Sequence, residues 1–221
     1  MSWLVRAGRY AKPMLAARAR TPVVRVARLH ATRVPRAVEQ SQGVSLDDPA
    51  EGEAQKLLDS GTHALEMGDL ERAKGAYRKS VEVHENASAY YNLGICQYQE
   101  HNLPGAIESW TQALRLAPDS PDAHTNLASA YIMSKPPQAD KALEHLTLAA
   151  SQSPDDGEIH FNLGTVLEAC TYDLLTAGEQ LEPAIKAYRK AKECGIDRAD
   201  QNVRNCMAKL MAARVEVEQQ S

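Results

Sequence analysis

From about Glu51 onward, small and large apolar residues return at helical spacing, separated by polar faces and short turns. Strand-type alternation is scarce, and alanine and leucine dominate the apolar set. Residues spaced three and four apart on one face pack as amphipathic helices, so the pattern predicts an all-α chain. The helices also repeat. The clearest copy, Ala87 to Ser120, reads Tyr90, then Leu93-Gly94, Ala106, Trp110, Ala113 and Pro118. Upstream by 33 residues, Gly61, Ala73 and Tyr77 fill the slots of Gly94, Ala106 and Trp110. Downstream come Leu127-Ala128, Tyr131, Ala142, Leu146 and Pro154, and then Leu163-Gly164, Ala184 and Tyr188. Repeats of this length are helix pairs that cannot bury an apolar face alone and must stack.

The order of large residue, Leu-Gly, small Ala, aromatic and closing Pro resembles the tetratricopeptide repeat, over roughly residues 54–197. The first copy is the least typical, with Leu57 in the large-residue slot and Ser60 before the glycine. In the second, Gln97 and then Tyr98 stand where an aromatic would follow Gly94. The resemblance implies a right-handed superhelical solenoid of four units, about 54–86, 87–120, 121–156 and 157–198, in a repeat region spanning 51–198. It puts Gly61, Gly94, Ala128 and Gly164 where the two helices of a unit cross, with Tyr77, Trp110 and Tyr188 filling the gap between successive units. Copy three carries two extra residues near Lys135-Pro136-Pro137, and copy four about eight around Thr171 to Gln180. The apolar residues Val203, Met207, Leu210, Met211 and Val215 then predict a helix over 199–217, with Asp197 as its cap, covering the last unit.

Charge changes the picture at the N-terminus. Residues 1–38 hold eight arginines, one lysine and no carboxylate. Removing those nine from the 25 basic residues leaves 16 against 29 acids, a formal −13 for residues 39–221. Trp3, Leu4, Ala7, Tyr10, Ala11 and Met14 share one helical face opposite Arg6, Arg9 and Lys12. An arginine-rich, acid-free, amphipathic leader resembles a mitochondrial transit peptide, which implies a mitochondrial protein, with the matrix as the expected compartment. A retained basic arm that binds nucleic acid or anionic lipid is the alternative. Residues 39–50, with Gly43 and Pro49, read as a linker. No run of 18 or more apolar residues occurs, so no transmembrane segment is expected.

The resemblance also implies a working surface, because the first helices of the units line the concave wall of such a solenoid. Its sixth slot falls at Asp59, Asn92, Asn126 and Asn162, a ladder able to hydrogen-bond the main chain of an extended peptide. Tyr91, Ile95, Tyr98 and Phe161 would add apolar pockets, continued by Ile132 and Met133. Family members that grip a C-terminal carboxylate do so with lysine and arginine at inner slots. The matching slots here hold Leu58, Thr62, Asp122 and Asn126, or Tyr91, Ile95, Glu158 and Asn162, without a cation. The expectation is therefore a non-enzymatic scaffold or assembly adaptor with a protein or peptide partner, or an accessory subunit of a large mitochondrial complex. The acidic body argues against nucleic acid. No GxxxxGK, GxGxxG or GxSxG motif is present, and Cys96, Cys170, Cys194 and Cys206 form no CxxC pair. No catalytic residue, metal ligand or cofactor is expected, and the seven scattered histidines read as packing residues.

Overall fold

The computed structural model describes residues 48–170 and 177–220. They form nine helices and no strand: α1 Pro49–Glu66, α2 Leu70–Val83, α3 Ala87–Gln99, α4 Leu103–Leu116, α5 Pro121–Met133, α6 Ala139–Gln152, α7 Gly157–Ala169, α8 Ala177–Glu193 and α9 Ala199–Gln220. The arginine-rich leader and residues 171–176 of the copy-four insertion lie outside the described residues. Of the linker read over 39–50, Pro49 and Ala50 belong to α1, capped by Asp48. Residues 177–180 of the insertion are helix, because α8 begins at Ala177.

The helices start where the sequence offers a side-chain acceptor for their unpaired N–H groups. Asp69 accepts from Arg72, Asn86 from Ala89, Asn102 from Gly105 and Ser120 from Ala123. Pro49, Pro104 and Pro121 occupy first-turn positions, where a missing N–H costs nothing. α6 begins without a side-chain cap. Each helix packs on its neighbour in sequence, so α1 with α2, α3 with α4, α5 with α6 and α7 with α8 make four pairs, and α9 covers α8.

Pairs one, two and four close by one device. A Cβ on Gly61 would lie 2.6 Å from the Tyr77 ring, one on Gly94 2.5 Å from Trp110, and one on Gly164 2.8 Å from Tyr188. Only a residue without a side chain lets the ring lie flat against the facing helix. This refines the expectation that the aromatics sit between units: each lies on the glycine of its own pair, and from there reaches the next. Tyr77 clusters with Leu93 and Cys96, and Trp110 with Leu127 and Ala130. The third pair differs, setting Ala128 against Leu146, so a larger small residue meets a smaller large one. On α9, Val203, Cys206, Leu210 and Ala213 pack against α8, while Met207, Met211 and Val215 stay exposed at i, i+4 and i+8.

Candidate functional site

In a solenoid of helix pairs the first helices stand side by side along the inner wall, here α1, α3, α5 and α7. Their charges are one-sided. α3, α5 and α7 contain no lysine or arginine, and α1 contains only Lys56. Asp59 and Glu66 on α1, Asp122 on α5, and Glu158 and Glu168 on α7 supply carboxylates, while α3 carries the uncharged aromatics Tyr90, Tyr91 and Tyr98 and no charged residue. The second helices carry both signs: Arg72, Lys74, Arg78 and Lys79 with Glu71 and Glu82 on α2, Arg115 with Glu108 on α4, Lys141 with Asp140 and Glu144 on α6, and Lys186, Arg189, Lys190 and Lys192 with Glu182 and Glu193 on α8.

Two inner carboxylates are met from the C-terminal end of the chain. Arg198 pairs with Glu158 and lies 4.3 Å over the Phe161 ring, whose edge meets Tyr188 at 5.4 Å. Glu168 accepts from Lys209 Nζ at 2.7 Å and from the Tyr188 hydroxyl at 2.8 Å. Burial pushes the Glu168 carboxyl up, but those two donors outweigh it and hold it below its ordinary value. Burial likewise lifts the Tyr188 phenol well above its usual range, so it stays a neutral donor. These residues tie α7, α8 and α9 together; their widely separated positions gave no local sequence signal.

The expected ladder divides into accessible and buried members. Asp59 is exposed and accepts from Gln55 Nε2 at 2.8 Å. Asn92 is half-buried. Asn126 is fully buried: its Nδ2 donates to the Tyr91 hydroxyl at 3.1 Å, and its Oδ1 has no hydrogen-bond partner. Asn162 is buried as well. The reading of all four as one open row missed this, because whether a slot faces solvent depends on the neighbouring unit that packs over it. Asn126 reaches back to α3.

The apolar positions divide in the same way. Ile95 is 3% exposed and packs with Trp110 and Leu127 in the core, so it forms no open pocket wall. Tyr91, Tyr98 and Phe161 remain half-buried. Tyr98 lies 5.7 Å from the Trp110 centroid, with its hydroxyl 2.7 Å from the Met133 sulfur, so α3 and α5 share that strip. The accessible inner surface is therefore Asp59, Tyr91, Asn92, Tyr98 and Phe161. It offers aromatic faces, an amide and the Asp59 carboxylate, which suit an extended segment with apolar and cationic side chains.

No group of three or more His, Cys, Asp or Glu side chains able to hold a metal ion occurs among the described residues. Cys96 and Cys206 are buried and all four cysteines are free. Burial raises the Cys96 thiol to about 11 and Cys206 to about 12. Neither thiol forms an appreciable thiolate near neutral pH. No helix among the described residues is long and apolar enough to cross a membrane.

The likeness to known proteins follows the repeat. Residues 58–121 match the tetratricopeptide repeat family model. The chain is 28% identical over 132 residues to mouse (Mus musculus) DnaJ homolog subfamily C member 7, covering 51% of this chain and 27% of that protein. It is also 28% identical over 105 residues to the Arabidopsis thaliana Protein CTR9 homolog, covering 45% of this chain and 9% of the other. The chain thus spans less than a third of either relative. Among solved structures, MamA 41-end from Desulfovibrio magneticus RS-1 superposes with a TM-score of 0.61 at 18% identity, covering 76% of this chain and 92% of that one. The first TPR of Spaghetti (RPAP3), bound to an HSP90 peptide, gives a TM-score of 0.50 at 21% identity, covering 57% of this chain and 94% of the other. The described residues form an all-α tetratricopeptide-repeat solenoid.

Proposed function

We propose that this chain is a non-catalytic scaffold or assembly adaptor that holds a partner polypeptide along the inner wall of α1, α3, α5 and α7. The observation that carries this reading is the near absence of lysine and arginine from the first helices, which hold Lys56 alone, together with the half-buried aromatics Tyr91, Tyr98 and Phe161 on α3 and α7. A cationic, aromatic-compatible segment meets almost no like charge on these helices. The solved solenoid that carries an HSP90 peptide is a fold-level parallel for peptide capture. That peptide, printed as SRMEEVD, is acidic, whereas the inner helices here favour the opposite charge.

The compartment belongs to the same proposal. An arginine-rich leader without carboxylates supports mitochondrial import, with the matrix as destination. Its test is import of radiolabelled full-length chain into isolated mitochondria: a potential-dependent, protease-protected, shortened product supports it, and an unprocessed, protease-accessible chain sinks it. The accessory-subunit alternative has its own support, since Met207, Met211 and Val215 leave an apolar stripe on α9 that another subunit would cover.

The adaptor reading is tested by placing arginine at two inner positions whose side chains are not core. Partners captured from mitochondria by wild type are compared with those captured by Asp59→Arg/Asn92→Arg, once circular dichroism has shown equal folding. A segment held on this wall should bind roughly tenfold or more weakly, since about 1.4 kcal/mol is a decade in affinity. Its wild-type binding should fall with added salt. Equal capture by both proteins would move the working surface elsewhere.

A further inference from the structure

The third helix pair contains two histidines in direct contact. His124, on the first turn of α5, is 6% exposed, and its Nδ1 lies 2.9 Å from Nδ1 of His145, in the middle of α6. His124 Nε2 lies 3.1 Å from the Pro118 carbonyl oxygen, in the turn between α4 and α5. Gln152 Nε2, at the end of α6, donates to the same oxygen at 3.1 Å. Tyr131 stacks on His145 at 5.7 Å with its plane 4° away, and Lys141 Nζ lies 5.1 Å from the Tyr131 ring centroid.

These distances fix the protons. A carbonyl oxygen only accepts, so His124 Nε2 carries a hydrogen and His124 Nδ1 presents a bare lone pair. His145 Nδ1 must then donate to it. His145 Nε2 is left as the one ring nitrogen of the pair able to take a proton without breaking a hydrogen bond. A first proton can settle there. A second would have to go on His124 Nδ1, setting two N–H groups head to head at 2.9 Å.

We propose that the His124–His145 contact is an acid-sensitive latch: below about pH 6, uptake of a second proton releases α6 from α5 and from the Pro118 turn, loosening the third pair ahead of the others. The groups whose charge bears on the latch are Asp119 in the turn and Glu144 on α6, which favour protonation, and Lys141 on α6, which opposes it. Burial, first of all, holds both imidazoles below their ordinary value, and each added charge on His124 presses His145 further down. The sign follows. Both rings bind protons less readily when folded than when released, so the latch is fully closed above about pH 6.5, the value of a free imidazole. Its contribution is lost as pH falls from there. Pairs one, two and four close on glycine and an aromatic ring; in pair four His160 Nε2 meets the Pro154 carbonyl at 2.9 Å, but among the described residues only His124 and His145 set two imidazoles against each other. α5 also carries Asn126, the residue bonded to Tyr91, so opening disturbs the inner wall at its middle. The latch stands whatever the inner wall binds, and its test needs no ligand.

The test is site-resolved hydrogen exchange of the full chain at pH 7.5 and 5.5, corrected for intrinsic exchange, alongside 15N spectra of the histidine rings. Two released imidazoles bind up to two protons where the closed pair binds one at most. The opening constant of α5–α6 should therefore rise on the order of tenfold to a hundredfold across that range, with α3–α4 unchanged. The spectra at pH 7.5 should show His124 protonated at Nε2 and His145 at Nδ1. His124→Gln keeps an acceptor for His145 Nδ1 but does not titrate, and should flatten the pH response. Should that variant fail to fold, the ring spectra of wild type still decide: both rings protonated at Nε2 would exclude the contact. Equal loss of protection in α3–α4 and α5–α6 would overturn the latch.

Discussion

The second and third helix pairs solve the same packing problem with different parts. In α3–α4, the Trp110 ring lies on Gly94, donates from Nε1 to the Tyr91 carbonyl at 3.1 Å, and is fully buried. In α5–α6, Ala128 faces Leu146, and a polar seam of His124, His145, Gln152 and the Pro118 carbonyl does part of the joining. α4 starts on a side-chain cap and α6 does not. The difference teaches that a repeat keeps its backbone geometry while trading ring volume for polar contacts, and that the trade makes one pair respond to protons.

Four substitutions test that contrast. Trp110→Ala empties the most voluminous buried site of pair two and should cost about 3–5 kcal/mol in urea denaturation. Gly94→Ala forces the ring off its seat and should cost about 1–3 kcal/mol, whereas Ala128→Gly, opposite a leucine, should cost about 1 kcal/mol. Building the third pair's solution into the second, Gly94→Ala with Trp110→Leu, should be less damaging than the two single changes summed, by about 0.5–3 kcal/mol. Strict additivity in that cycle would show that ring and glycine do not depend on each other.

At the third pair, His145→Leu at pH 7.5 leaves the buried His124 Nδ1 without a donor and should cost about 1–3 kcal/mol, measured by thermal melting. The smallest effect is at the turns. Gly68, between α1 and α2, has φ +76°, and His101, between α3 and α4, holds the same left-handed conformation at φ 60° with a side chain. His101→Gly should therefore stabilise the chain by about 0.5–1 kcal/mol. A loss instead would mean the imidazole makes a contact worth more than the backbone relief.

The repeat was legible because it rests on residues that act locally: glycine under a ring, proline at a first turn, asparagine or serine at a cap. Gly61 with Tyr77, Gly94 with Trp110 and Gly164 with Tyr188 could be paired by spacing alone. The inner surface was legible only in outline. Slot position names Asn126 and Ile95, but whether a side chain faces solvent depends on the neighbouring unit, and Tyr91 over Asn126 comes from 35 residues away. The His124–His145 contact was hidden for the same reason. Each histidine alone looks like filler, and only the 2.9 Å approach across two helices gives the pair a chemistry.

The central claim, that the inner wall holds a partner, is tested most directly by photo-crosslinking in mitochondria. The crosslinker p-benzoylphenylalanine is introduced singly in place of Asn92 on the inner wall, Lys79 on α2, or Met211 on the exposed stripe of α9. The account predicts a discrete adduct from position 92 that the Asp59→Arg background weakens, with none from position 79. Adducts from position 211 or 79 and none from 92 would contradict it and make the chain a subunit held by its end or its outer layer.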